Sequence, residues 1–266
     1  MRTKLLLLIL IAANSIIINA QMDDKFYFPS KVLQPIEWKN VEKLKFPIEN
    51  DTVSAIILKP NQKAKATIFY FHGAGGNVTT YAPLLTSLLN DQFQIVLIDF
   101  RGYGKSTGKP LHTNIAEDGE KIFKELFKRD DIKNKKIIFY GASIGTQIAT
   151  HLAKNHQSEI SGLVLEGAMF SFGHIAAVYA PQVKDYLENS FVTPYSAKED
   201  IKEITKIPKL IIHSKEDKDV PFAQGMMLFN AASEPKQFIE FNGEHLYALK
   251  YESREILESL NKMIAN

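Results

Sequence analysis

The chain has 266 residues, 45% of them hydrophobic, with 32 basic and 30 acidic side chains and no cysteine. That length and apolar content suit one large domain with an ample core and exclude a disordered chain. The missing cysteines exclude disulfides, thiolate metal sites, a cysteine nucleophile and lipid attachment through cysteine, so stability must come from the core.

The first twenty residues, MRTKLLLLILIAANSIIINA, carry Arg2 and Lys4, an apolar stretch from Leu5 to Ala13, then Asn14, Ser15 and a small residue at Ala20. This is the layout of a secretory signal peptide cut between Ala20 and Gln21, and it predicts an exported protein, periplasmic or secreted. The alternative is an uncleaved anchor through residues 5–19, which the large Ile18 near the cut favours. Asn14 opposes it by ending the apolar run well short of the roughly 20 residues a spanning helix needs. Removal of Arg2 and Lys4 with the leader leaves 30 basic against 30 acidic groups. A neutral remainder without a basic tract offers no grip to nucleic acid or an anionic membrane, and no integral span remains.

Residues 21–266 contain no repeat, low-complexity run or long linker and read as one domain. Val41 to Pro60 is expected to form a hairpin with ENDT as its turn, giving the sheet an antiparallel edge. Short apolar runs follow at ATIFYFHG (66–73), FQIVLIDFRG (93–102), KIIFYGAS (136–143), GLVLEGA (162–168), KLIIHS (209–214) and QFIEF (237–241). Their lack of polar alternation suits strands covered on both faces. Between them, Asn114 to Lys128 places Ile115, Ile122, Phe123, Leu126 and Phe127 on one helical stripe. Strands alternating with helices predict an α/β fold, a mostly parallel sheet with helices on both faces. In such a sheet ligands sit at the carboxyl ends of strands. Those ends here read HGAGG, DFRGYG, GASIG, EGAMF, HSKEDKD and NGEH.

Gly141-Ala-Ser143-Ile-Gly145 ends an apolar strand and opens a helix-like segment. A serine in so tight a turn needs small neighbours, and in return its hydroxyl stands exposed at a helix N-terminus. There the amide of Ile144 can donate to a developing oxyanion. A serine hydroxyl needs a base, and the base an orienting carboxylate, both expected after later strands with the acid first. His245, in NGEH, is the only histidine beyond position 213. The acid loop offers Glu216, Asp217 and Asp219, with Asp217 the leading candidate; Glu166, at the end of the strand after the serine, occupies a rival position. Gly73 lets the backbone approach a substrate closely, so the amide of Ala74 is the expected second oxyanion donor. The glycines at 73, 75 and 76 match neither a P-loop nor a dinucleotide fingerprint.

With these residues in place, the sequence from about Val41 to its end resembles the α/β-hydrolase superfamily, and within it the serine-aminopeptidase-like group that also holds lysophospholipase-like and protein-depalmitoylating members. YFHGAGGN, DFRGYGKSTG, YGASIG, IPKLIIHSKEDKDVPF and EPKQFIEFNGEH occur in that group's order. The resemblance implies Asp217 as the acid and makes Arg101 of DFRGYG a scaffold ion-pair partner. Ser214 departs from the group, standing where glycine is usual and where it stands to shift the acid loop; Thr146 replaces a smaller residue after the elbow.

The expected activity is ester hydrolysis through a serine acyl-enzyme, with neither cofactor nor metal required. The partner is then a small-molecule ester, acyl compound or short peptide. A peptidase on short peptides and a catalytically silent fold that binds without turnover are the alternatives. Serine at the elbow argues against haloalkane or epoxide chemistry, which uses a carboxylate there. Residues 168–196 are expected to form a small helical lid. Met169, Phe170, Phe172, Ile175, Tyr179 and Phe191 of that segment either line an acyl pocket or merely pack the lid onto the sheet.

Overall fold

In a strand, alternate side chains point to opposite faces, so an uninterrupted apolar run builds two cores at once. A computed structural model, which describes Asp23 and residues 25–265, shows this outcome. The leader expected at residues 1–20 lies outside the described residues. Among the described residues, eight strands form one sheet: β1 (Val41–Ile48), β2 (Asp51–Leu58), β3 (Ala66–Phe71), β4 (Phe93–Ile98), β5 (Lys136–Ala142), β6 (Gly162–Glu166), β7 (Lys209–Ser214) and β8 (Lys236–Phe241). Their spatial order is β8-β7-β6-β5-β3-β4-β2-β1.

β3 to β8 run parallel to one another. β1 and β2 make the expected antiparallel hairpin, and β2 pairs antiparallel with β4. One expectation fails at the far edge. Among the described residues β8 has a single sheet neighbour, and it alternates buried with exposed positions instead of being covered on both faces.

Val53, Phe69, Phe71, Val96 and Phe139 face one side, where α1 (His112–Leu126) and α2 (Gly145–Asn155) cover them. Ile68, Tyr70, Leu97, Ile138 and Tyr140 face the other, against residues 78–90 and the C-terminal helix. α1 buries the predicted Ile115, Ile122, Phe123 and Leu126 but begins and ends two residues earlier than the pattern suggested. The chain leaves β3 toward β4 on one side and returns to β5 on the other. The strand order therefore reverses between β3 and β5, which opens a crevice beyond their carboxyl ends. Over that crevice lie α3 (Phe172–Tyr179) and α4 (Lys184–Asn189), the helices of the expected lid segment.

The DFRGYG loop is scaffold, as expected of Arg101. Its guanidinium is buried, bonds both Asp118 oxygens at 2.7 and 2.9 Å, and reaches Asp51 and Glu49 at 3.1 Å. Asp99 accepts from the Val78 amide at 2.9 Å and so ties this loop to the segment after β3.

Candidate active site

β5 ends at Ala142, and the next residue, Ser143, adopts φ = 53°, a left-handed conformation that costs a non-glycine residue about 1–2 kcal/mol. Both flanking glycines are forced by close approach. A Cβ on Gly145 would overlap the Phe71 carbonyl oxygen at the end of β3, and one on Gly141 would lie 2.7 Å from the Thr146 Cα. Strand and helix are thus jammed together around the serine, and α2 starts immediately behind it. Thr146, the residue that departs from the resembling group, donates its hydroxyl to the Ser143 carbonyl at 2.6 Å and holds the turn.

Just past the end of the neighbouring strand β3, His72 is buried, which pushes its imidazole down to about 4 and keeps it neutral. Phe100 N–H donates to Nε2 at 3.3 Å, so Nδ1 carries the proton and donates to the Gly73 carbonyl at 2.7 Å. The carbonyl of Ala74 accepts from the Tyr103 hydroxyl at 2.5 Å and the Phe28 amide at 2.9 Å. The peptides on either side of Ala74 are therefore pinned, while its own N–H finds no acceptor among the described residues; the same is true of Ile144. Two unclaimed amides, one after β3 and one after β5, face a common cavity.

The other half comes from β7 and β8. The buried Asp217 carboxylate accepts the Asp219 and Val220 amides on Oδ1 at 2.9 and 2.8 Å. Its Oδ2 lies 2.6 Å from His245 Nδ1 and 3.4 Å from His213 Nε2. Burial alone would raise this carboxyl, but the hydrogen bonds from His213 and His245 outweigh it and hold the group well below the usual carboxylate range. His213 Nε2–H lies between the Val220 carbonyl at 2.9 Å and Asp217 Oδ2 at 3.4 Å, and Nδ1, packed against Gly225, has no hydrogen-bond partner among the described residues.

Glu166, the rival acid, is occupied elsewhere. It accepts from Tyr140 at 2.6 Å and from the Ala248 amide at 2.9 Å, and burial pushes its carboxyl up. Asp219 is exposed, with an oxygen in the same 4.8 Å cluster as Asp217 and His245. That trio has ligand atoms suited to a cation, yet the contact between Asp217 and His245 is already satisfied by a proton. Ser214 links the two loops, donating to the Gly243 carbonyl at 2.5 Å and accepting the Glu216 amide at 3.0 Å. Gly167, at φ = 58°, leaves room for the imidazole, since a Cβ there would lie 2.6 Å from His245 Cε1.

Ser143, His245, Ala74 and Ile144 all line one cavity of about 720 Å³. Met169, Ile175 and Tyr179 of the lid segment line it as well. Phe172 instead packs tilted on His112 with ring centroids 3.9 Å apart, Phe170 packs on His174, and Phe191 lies against Phe26. The sequence did not point to Lys25, Phe26 and Phe28, which supply another wall. The aromatic run FYF at 26–28 was the available signal.

Residues 62–197 match the family model described as serine aminopeptidase, S33. The chain belongs to this family of α/β hydrolases. It is 29% identical over 231 residues to the uncharacterized protein YfhR of Escherichia coli strain K12, covering 84% of this chain and 80% of YfhR. Protein bem46 of Schizosaccharomyces pombe is 30% identical over 183 residues, 67% of this chain and 60% of bem46. Among solved structures, the Pyrococcus furiosus esterase Pf2001 superposes with a TM-score of 0.69 over 90% of this hydrolase and 98% of Pf2001, at 15% identity, which bears on fold alone. Among the described residues, no helix of this hydrolase is long and apolar enough to cross a membrane.

Proposed function

We propose that this hydrolase is an exported serine enzyme that cleaves carboxylic esters. Ser143 is the nucleophile, His245 the general base and acid, Asp217 the carboxylate that orients it, and the amides of Ala74 and Ile144 the oxyanion hole. The observation that carries this reading is the 2.6 Å bond from His245 Nδ1 to buried Asp217 at the cavity that also holds strained Ser143. Export rests on the leader pattern of residues 1–20.

The Asp217 bond keeps the imidazole proton on Nδ1 and leaves Nε2 as the basic nitrogen. Nε2 takes the Ser143 proton as Oγ attacks the ester carbonyl, and the two amides receive the negative charge. As the tetrahedral intermediate collapses, the imidazolium gives that proton to the leaving alkoxide and an acyl-serine remains. Water, deprotonated by the same nitrogen, attacks the acyl carbon, and the carboxylic acid leaves as Ser143 regains its proton. The cavity lining is largely apolar, which suits an acyl chain. Pf2001, which shares this fold, is named an esterase, in accord with this choice. A peptidase reading rests on Asp219, the only carboxylate lining the cavity among the described residues and a receiver for a substrate ammonium.

Nitrophenyl esters of graded acyl length, assayed beside aminoacyl-anilides, test the proposal. Ester turnover is expected to exceed anilide turnover and to fall by about 10⁴-fold or more in Ser143→Ala with the circular dichroism spectrum unchanged. Turnover that survives in Ser143→Ala sinks the assignment. Failure of a fluorophosphonate to label Ser143 in the wild type points to a silent binding fold.

A further inference from the structure

The segment that follows the leader does not trail away from the domain. Phe28 and Pro29 pair in parallel with Gly75 and Gly76, directly after the proposed oxyanion residue. The Phe28 amide donates to the Ala74 carbonyl at 2.9 Å, and the Ser30 amide to the Gly76 carbonyl at 3.0 Å. Asn77 Nδ2 in turn donates to the Ser30 and Val32 carbonyls at 3.0 and 2.9 Å. Side chains alternate along this strap. Tyr27 is buried with its hydroxyl 2.7 Å from His112 Nδ1, whereas Phe26 and Phe28 line the cavity. Phe26 is fixed by edge contact with Phe172 at 5.3 Å. Phe28 is 61% exposed, so no interior packing accounts for its position. A large apolar ring left at the rim of a catalytic cavity gains buried area only when a ligand covers it.

We propose that the strap Lys25–Ser30 is a working wall of the active site, in which Phe28 contacts the acyl chain and sets selectivity for its length. This rests on the ester-hydrolase reading of the same cavity. The ring acts on binding of the non-reacting part of the substrate, so its effect grows with acyl length, and the backbone bond beside it fixes Ala74 for every substrate alike.

The full chain is compared as wild type, Phe28→Ala and Met227→Ala, the last removing an exposed apolar side chain from the helix Phe222–Ala231, away from the cavity lining. The ratio of kcat/KM for nitrophenyl octanoate to that for the acetate is expected to drop about tenfold in Phe28→Ala, the worth of partly burying one aromatic ring. In Met227→Ala it stays within about twofold. Binding of the fluorescent fatty acid cis-parinaric acid, measured on the same proteins and on Ser143→Ala, is expected to weaken about tenfold in Phe28→Ala alone. An unchanged ratio and an unchanged affinity in Phe28→Ala overturn the strap's role and leave ester hydrolysis standing. If the wild type turns over no ester but Phe28→Ala still weakens fatty-acid binding, the catalytic reading fails and the wall survives. Absence of both turnover and binding in the wild type overturns the two together.

Discussion

Ser143 sits on a backbone that two close-packed glycines will not let move, while Phe28, across the same cavity, carries a ring that is 61% exposed. The first belongs to a floor built on the carboxyl rim of β3, β5, β7 and β8, where short hydrogen bonds and steric contact leave each group one position. The second belongs to a roof made of the strap and the helices at 172–189, whose cavity-facing side chains, Lys25 apart, are apolar or aromatic and, at Phe28 and Tyr179, largely exposed. Reactivity needs atoms held within tenths of an ångström, whereas selectivity for an acyl chain needs only apolar area in the right place. The floor is therefore expected to govern kcat for every ester equally, and the roof to govern which ester is preferred.

Four substitutions break or sharpen that division. Gly145→Ala attacks the floor hardest: the new methyl collides with the Phe71 carbonyl, and urea unfolding should show a loss of more than about 4 kcal/mol or no folded protein at all. Asp217→Asn should keep the fold at neutral pH but cut kcat about 10³-fold or more, by the same factor for acetate and octanoate. A factor that varied with acyl length would blur floor into roof.

The same variant carries a pH signature. The Asp217 carboxyl is held below its ordinary value in the folded chain, so it binds fewer protons there than in the unfolded one. Its contribution to stability is present above about pH 4 and is lost as pH falls through the folded value. Urea midpoints followed from pH 6 downward should fall more steeply in the wild type than in Asp217→Asn. Next in size, Tyr103→Phe removes the hydroxyl that steadies the Ala74 carbonyl, and should lower kcat about tenfold with KM preserved. Tyr179→Ala, on the roof, should change the octanoate-to-acetate ratio by about threefold and leave the acetate pH profile in place.

Much of the floor was readable because its signals are local. The strands β3 to β7 are continuous apolar runs, the elbow is a serine between two glycines at a strand end, and His245 had no competitor in its part of the chain. The choice among Glu166, Asp217 and Asp219 was not local: only the fold shows Glu166 bonded to Tyr140 and Ala248, and Asp217 bonded to His245. Ser214 illustrates the limit well. It reads as a departure that displaces the acid loop, yet its hydroxyl joins that loop to the Gly243 carbonyl.

The roof was half legible. Met169, Ile175 and Tyr179 line the cavity as one reading of the lid allowed, but Phe170, Phe172 and Phe191 turn into packing against His174, His112 and Phe26. Helical spacing shows which residues share a stripe, not whether the stripe meets a neighbour or a void. The strap was missed because its placement depends on pairing with Gly75 and Gly76, 47 positions away, through backbone groups that leave no trace in side-chain pattern.

The obstacle at Gly145 is a main-chain oxygen of the adjoining strand, an atom that every amino acid at position 71 would supply. Second-site reversion is thereby closed off. A random library built on a Gly145 substitution should yield no suppressor, whereas one built on Gly162, whose added methyl would first meet the flexible side chain of Met263, should recover smaller side chains at position 263. Genetic drift can remodel the outer layers of this molecule by paired exchange, but at the elbow it has no partner to exchange.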